Sequence, residues 1–232
     1  MGQTIAVIPA RYGSKRVPQK NIRVFMGQPL LVWSIRAALL TEGIDRVIVS
    51  TDDKEAANIA DGYNVEVFWR PSSLATDTSS IFDVLKYVYF EQCKERDIEP
   101  EFLVLLQPTS PLREKGLISD GLDLIKSQPS IDRVIELNSK KLFSGQIDSG
   151  YWVPDYPEGA RSQDLKDIYF PSGRLYIYRC DTTIAADAPA GDKTVPILGN
   201  YATNINIDYE DDFDKLEYIF TKHMEKYQHL LK

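Results

Sequence analysis

Apolar segments that predict buried strands alternate with helical patterns along this chain. TIAVIPA (4–10), DRVIVST (45–51) and EFLVLLQ (101–107) are almost continuously apolar, which is typical of strands covered on both faces. Between them, the stretches 29–43 and 77–96 have helical spacing, and 77–96 begins with a capping residue. This alternation predicts an α/β fold of three layers with a mostly parallel central sheet. The length of 232 residues predicts one domain over 1–232.

Three polar clusters follow predicted strands, at 11–23, 70–80 and 107–113. In open α/β sheets, ligands bind beyond the carboxyl ends of the strands. The three clusters are therefore expected to meet at one edge of the sheet and to form a binding site there.

The first cluster is strongly basic although the chain is acidic. It carries five cations (Arg11, Lys15, Arg16, Lys20, Arg23) and no acid, whereas the whole chain has a net charge of −7. Gly13 lets backbone N–H groups approach an anion, and Ser14 adds a hydrogen-bond donor. So many cations suit a triphosphate better than one phosphate. The loop matches neither GxxxxGK[ST] nor GxGxxG, and the alternative is a solvent-facing basic loop.

Composition excludes several classes of function. The acidic balance argues against general nucleic-acid binding, which needs a broad basic face. The sequence contains no run of 18 apolar residues, so no membrane span is predicted. Two cysteines, Cys93 and Cys180, suggest no disulfide framework and favour a cytoplasmic location.

Six segments resemble, in order, the signatures of one enzyme family. They are IPARYGSKRVPQKNIR (8–23), DRVIVSTDD (45–53), WRPSSLATDTSSI (69–81), LLQPTSPLR (105–113), RSQDLKDIYFPSGRLYIY (161–178) and INIDYEDDF (205–213). The family comprises the sialic-acid (N-acylneuraminate) cytidylyltransferases and their pseudaminic- and legionaminic-acid relatives. The resemblance implies a Rossmann-like nucleotidyltransferase fold of the glycosyltransferase-A type. It implies transfer of CMP from CTP to the anomeric hydroxyl of an acidic 2-keto-3-deoxy sugar, with release of pyrophosphate.

The resemblance also assigns residues to the nucleotide. Lys20, Arg11 and Asp208 are the implied catalytic residues, and Lys20 would stabilise charge at the α-phosphate. The implied nucleotide-binding residues are Ala10, Arg11, Gly13, Ser14, Lys20, Asn21, Arg70 and Ser80.

Sugar and metal sites are implied in the same way. Gln107, Thr109, Ser110, Arg161 and Gln163 match the sugar site, where Arg161 would pair with the substrate carboxylate. Asp208 and Asn206 are the expected ligands of Mg²⁺ or Mn²⁺, since alternation places both on one side of an extended segment. Many relatives carry Asp where this chain has Asn206. Asp211 and Asp212 are better explained as acids at a helix start.

Two alternatives stay open. The related family acting on the eight-carbon acid Kdo shares a basic loop of this kind, but LLQPTSPLR disfavours it. A non-catalytic nucleotide-binding homologue is the other, supported only by Asn206.

The segment 138–170 interrupts the strand–helix rhythm. It is rich in Gly, Ser, Asp, Tyr and Pro, and its aromatic residues, such as Tyr151 and Trp152, favour an ordered segment that forms an interface. We interpret it as an inserted dimerisation or lid segment, which predicts a homodimer.

Overall fold

A seven-stranded sheet organises the protein in the computed structural model, which describes residues 2–231. Its strand order is β11-β7-β10-β6-β1-β4-β5. These strands are β1 (Gln3–Ala10), β4 (Arg46–Thr51), β5 (Glu66–Trp69), β6 (Pro100–Leu105), β7 (Arg133–Lys141), β10 (Asp167–Arg179) and β11 (Thr194–Leu198). Two short hairpins complete the set: β2 (Val24–Phe25) with β3 (Gln28–Pro29), and β8 (Gly145–Asp148) with β9 (Tyr151–Pro154).

The sheet is mostly parallel, as the sequence predicts. β1 lies between β4 and β6 and runs parallel to both, with Ile8 opposite Val49 and Val7 opposite Leu105. Only β10 runs against its neighbours β6 and β7. The carboxyl ends of β1, β4, β5 and β6 therefore share one edge, where β10 contributes its beginning rather than its end.

Helices cover both faces of the sheet. They are α1 (Leu30–Leu39), α2 (Lys54–Gly62), α3 (Ile81–Tyr87), α4 (Leu117–Ser127), α5 (Asp211–Lys222) and α6 (Met224–Tyr227). One apolar core packs α1, α4 and α5 on the sheet around Trp33 and Phe220. A second, smaller core packs α3 on the opposite face around Phe68 and Leu85. The result is the predicted three-layer arrangement.

Two predicted helices differ in detail from those observed. The helix expected from residue 77 begins at Ile81, because the Ser80 hydroxyl caps it by accepting the Phe82 N–H at 3.1 Å. It continues beyond Tyr87 as one π-helical turn and a short 3₁₀ turn, 88–96. The helix predicted over 29–43 is shorter and spans Leu30–Leu39. The C-terminal helical stretch is broken at His223 between α5 and α6.

The inserted segment contains the β8–β9 hairpin, which stands away from the main sheet. Its side chains are exposed, with Ile147 at 78% and Tyr151 at 76% of their full accessibility. Of the range 138–170, residues 138–141 belong to β7 and residues 167–170 belong to β10. Among the helices of residues 2–231, none has the length and apolarity that crossing a bilayer requires.

Candidate active site

The three predicted polar clusters meet at one edge of the sheet. A cleft of about 270 Å³ opens there between the loops after β1, β5 and β6. Its lining includes Arg11, Gly13, Ser14, Lys20, Asn21, Arg70, Thr76, Asp77, Ser79, Gln107 and Thr109. We call 11–23 the basic loop and 107–113 the proline loop.

Every cation of the basic loop lies within ion-pair distance of a carboxylate. Arg11 and Lys15 both contact Asp77, at 2.6 Å each. Arg16 and Lys20 lie 3.2 and 3.7 Å from Asp208, and Arg23 pairs with Glu210. The loop is thus anchored to two other segments and is not merely solvated. Exposed pairs of this kind are individually weak, so a more highly charged anion can replace them.

Lys20 is the least exposed cation of the loop. Its ammonium donates to the Ile207 carbonyl at 2.6 Å, which joins the loop to the segment that carries Asp208. Burial, with smaller effects from Arg16 and Arg11, lowers the pKa of Lys20, while Asp208 acts in the opposite direction. Nearby, the Asn21 amide donates to the Arg11 carbonyl at 3.0 Å and holds the loop closed.

Arg70 is buried in the wall of the cleft. It donates to the Ser50 carbonyl at 2.8 Å, and burial lowers its pKa to about 10. Its Nε has no hydrogen-bond partner within residues 2–231. Ala10, at the end of β1, is buried, and its carbonyl accepts the Thr51 hydroxyl at 2.5 Å. This bond fixes the strand end from which the basic loop starts.

The proline loop supplies uncharged groups. Gln107 and Thr109 line the cleft, and the buried Ser110 hydroxyl lies 3.3 Å from Asn206 Oδ1. The Ile207 N–H donates to the Thr109 carbonyl at 2.8 Å. The proline loop and the segment 204–208 therefore form one wall.

Asn206 and Asp208 lie on the same side of their segment, as alternation predicts. The Asn206 amide donates to Asp208 Oδ2 at 3.2 Å. Within residues 2–231 no group of three or more Asp, Glu, His or Cys side chains could hold a metal ion. One carboxylate and one amide oxygen beside the basic loop nevertheless fit Mg²⁺, which commonly takes its other ligands from the phosphates of a substrate and from water.

Three predicted site residues lie elsewhere. The Ser80 hydroxyl caps α3, and Ser79 lines the cleft instead. Arg161 is exposed and pairs with Asp164 through two bonds of 2.7 and 3.1 Å, because the two side chains are three residues apart around a 3₁₀ turn. Gln163 is also exposed, and its carbonyl accepts from Lys141 at 2.6 Å. The structure does not bring Arg161 and Gln163 into the cleft of their own chain.

One acid has the role expected for it, and two further residues that the sequence analysis did not predict belong to the site or its support. Asp212 accepts the N–H groups of Asp208 and Tyr209, both at 2.9 Å, and so has the helix-start role that was expected. Asp77 and Arg113 were not singled out from the sequence. Asp77 lies inside the polar cluster 70–80 and inside the family-like segment 69–81, so its position carried a signal. Nothing in the sequence indicated that Arg113 is buried.

Comparisons with known proteins indicate the family of the chain. The family model described as cytidylyltransferase matches residues 5–145. The CMP-N,N'-diacetyllegionaminic acid synthase of Legionella pneumophila is 35% identical over 219 residues, covering 90% of this chain and 92% of that protein. The N-acylneuraminate cytidylyltransferase of Streptococcus agalactiae is 30% identical over 217 residues, and the match spans 51% of its length.

One solved structure supports the fold alone. The structure of CMP:2-keto-3-deoxy-manno-octonic acid synthetase complexed with CTP superposes with a TM-score of 0.69 at 18% identity, covering 95% of this chain and 99% of that one. The ordered motifs, the α/β fold and the family match together lead to one conclusion. The chain belongs to the cytidylyltransferase family.

Proposed function

We propose that this protein transfers CMP from CTP to the anomeric hydroxyl of an acidic 2-keto-3-deoxy sugar and releases pyrophosphate. The acceptor class is a nonulosonic acid such as N-acetylneuraminate or a legionaminate or pseudaminate relative. The observation that carries the proposal is the convergence of Arg11, Lys20 and Arg70 with Gln107 around one cleft. The 35% identity to a CMP-N,N'-diacetyllegionaminic acid synthase supports the same reaction.

The chemistry is a displacement at the α-phosphorus. The acceptor's anomeric oxygen bonds to that phosphorus, its proton is lost, and the bond to the pyrophosphate oxygen breaks. Such transfers depend mainly on positioning and charge stabilisation. Arg11 and Lys20 neutralise the phosphates, and Gly13 and Ser14 offer N–H and O–H donors. Lys20 is the candidate for stabilising charge in the transition state, since it is half-buried and held by the Ile207 carbonyl.

The base is recognised at the Arg70 side of the cleft. Cytosine presents acceptors at O2 and N3, which require donors from the protein. Arg70 is pre-positioned by the Ser50 carbonyl, and its unpartnered Nε supports this role. The acceptor sugar would lie across the cleft, where Gln107 and Thr109 suit hydroxyl and amide groups, while the buried Ser110 supports the wall behind them.

A divalent cation, Mg²⁺ or Mn²⁺, would be held by Asp208 with Asn206 as a neutral ligand. When bound, it supplies charge neutralisation at the phosphates. The test is Mn²⁺ binding measured by electron paramagnetic resonance with CTP present. We expect Asp208→Ala to weaken binding and Asn206→Asp to strengthen it. Unchanged binding in Asp208→Ala would contradict the assignment.

The β8–β9 hairpin is proposed to be a dimerisation segment, so that the working form is a homodimer. Its exposed Ile147 and Trp152 are opposite each other across the two strands and form an apolar patch on one face of the hairpin. Arg161 and Gln163 lie in the same inserted segment and outside the cleft of their own chain. In a homodimer they would contact the sugar in the cleft of the second subunit. Sedimentation of a monomer at micromolar concentration would contradict this. The two free, buried cysteines support a cytoplasmic location.

The function is tested by pyrophosphate release with CTP and Mg²⁺ over N-acetylneuraminate, Kdn, legionaminate, pseudaminate and Kdo. We expect release with at least one nine-carbon acid. Release with Kdo alone would favour the eight-carbon alternative, for which the solved structure argues only at the level of fold. CTP binding without turnover on any acid would favour the non-catalytic homologue.

A further inference from the structure

Arg113 ends the proline loop and is buried away from the cleft. Only 1% of the residue is accessible to solvent, and it is not among the residues that line the cleft. Burying a guanidinium costs free energy unless its donors find hydrogen-bond partners, so the contacts of Arg113 indicate its role.

The Arg113 side chain joins three separate parts of the chain. Its Nη2 donates to the Gln107 carbonyl at 3.0 Å, which closes the proline loop on itself. Its Nε donates to the Arg174 carbonyl at 2.8 Å in β10, and its Nη1 donates to the Ser34 hydroxyl at 3.0 Å in α1. A planar fork of donors can make these three bonds at once, whereas a lysine ammonium on its flexible stem cannot reproduce them.

The parts that Arg113 joins carry the sugar side of the proposed site. Gln107 and Thr109 belong to the proline loop, and the Thr109 carbonyl holds the segment of Asn206 through Ile207. Gly173, which precedes Arg174, has φ of +81°, and a Cβ there would collide with Ser110 Oγ. The wall is closely packed, so a small shift of the proline loop moves the side chains of Gln107 and Thr109 that line the cleft.

Buried charge surrounds Arg113. Burial, reinforced by the neighbouring Arg174, lowers the pKa of Arg113 to about 9. Arg174 is itself buried and pairs with the buried Glu136. Apolar side chains of similar volume often stabilise a core better than such ions do. Stability alone therefore gives no reason for a guanidinium at this position, whereas holding a wall of the cleft does.

We propose that Arg113 is a positioning residue that fixes the sugar side of the cleft and leaves the basic loop unaffected. The kinetic part of this proposal rests on the proposed function. None of the three Arg113 bonds reaches residues 11–23, so CTP binding is expected to be independent of it.

The test compares Arg113→Lys with Arg179→Lys. Arg179 also donates to main-chain carbonyls, those of Ile131 at 2.9 Å and Ile125 at 2.8 Å, but it lies at the other end of β10. We expect Arg113→Lys to raise the KM of the acceptor acid about tenfold and to lower kcat, with the Kd of CTP changed less than about twofold. Arg179→Lys is expected to lower Tm without this split between the two substrates.

Amide hydrogen exchange on the unliganded protein tests the positioning without any sugar. Arg113→Lys should speed exchange in 107–113, where its bond to the Gln107 carbonyl is lost, but not in 11–23. If the wild type releases no pyrophosphate yet this exchange pattern is found, the proposed function is wrong and the positioning role stands. If exchange rises equally in the basic loop, or if acceptor KM is unchanged while turnover is normal, the positioning role is wrong.

Ser34→Ala keeps the proposal testable if Arg113→Lys does not fold. It removes one Arg113 partner from inside α1, where alanine favours the helix. We expect a twofold to threefold rise in acceptor KM with CTP binding unchanged. A rise in the Kd of CTP equal to the rise in acceptor KM would overturn the proposal.

Discussion

The two sides of the cleft use charge in opposite ways. On the basic loop, Arg11, Lys15 and Arg16 are partly exposed and pair with carboxylates at the rim. Behind the proline loop, Arg113 and Arg174 are buried; Arg174 pairs with Glu136, and Arg113 donates to two main-chain carbonyls and the Ser34 hydroxyl. Exposed pairs can be exchanged for a ligand at little cost, whereas buried ones cannot be broken without destabilising the protein. The first set is suited to binding an anion, and the second to holding a wall in place.

The largest effect is expected from the buried pair. Glu136→Ala removes the buried partner of Arg174 and leaves it only the partly exposed Glu114, so it should lower the free energy of unfolding by about 3–5 kcal/mol. Asp164→Ala breaks the exposed pair with Arg161 and should change it little. Urea denaturation measures both variants. Equal effects would remove the distinction between the two kinds of pair.

Lys20→Ala should reduce turnover by roughly 100- to 1,000-fold, because it removes the donor proposed to stabilise charge at the reacting phosphate. Lys15→Ala is the matched control, since this cation belongs to the same loop but is highly exposed. We expect it to change turnover by about threefold or less. Initial rates of pyrophosphate release measure both. Similar losses would mean that the loop acts only through its summed charge.

The pH dependence of CTP binding should report Lys20. Burial lowers the pKa of Lys20, so its ammonium loses its proton at a lower pH than that of an ordinary lysine. CTP binding should therefore weaken as pH rises through that value, below about 10.5. In Lys20→Arg the guanidinium stays charged, and the weakening should disappear. Titrations of CTP between pH 7 and 10 would contradict this if the two proteins behaved alike.

The smallest effect is expected at Asp77. Its carboxylate holds Arg11 and Lys15, and hydrogen bonds from Lys15 and then Arg11 lower its pKa. Asp77→Asn frees both cations and should tighten CTP binding about twofold to fivefold at low salt. Calorimetry at two ionic strengths measures this. Weaker binding would instead mean that Asp77 contacts the nucleotide.

The sequence predicted the parts of this molecule that depend on local pattern. Apolar runs gave the strands β1, β4 and β6, and the carboxyl-end rule brought 11–23, 70–80 and 107–113 together. The spacing of Asn206 and Asp208 also gave their common side correctly. Each of these predictions depends on periodicity or on strand direction, which short segments encode.

What the sequence did not predict depends on long-range contacts or on local competition. Asp77 and Ser80 are both capping types, and only the fold decides that Ser80 caps α3 while Asp77 binds cations. The polar appearance of the segment around Arg174 hides a buried pair with Glu136, a residue far away in sequence. The reversed direction of β10 likewise follows from its pairing between β6 and β7.

The most direct test of the central claim follows an oxygen atom. The acceptor acid is labelled with ¹⁸O at its anomeric hydroxyl and incubated with CTP, Mg²⁺ and the protein. The masses of the CMP-sugar and of the pyrophosphate are then measured by mass spectrometry. Attack of that hydroxyl on the α-phosphorus predicts that the label is found in the CMP-sugar and that the pyrophosphate carries none. A CMP-sugar without the label, or no CMP-sugar with any acid of the panel, would contradict the account.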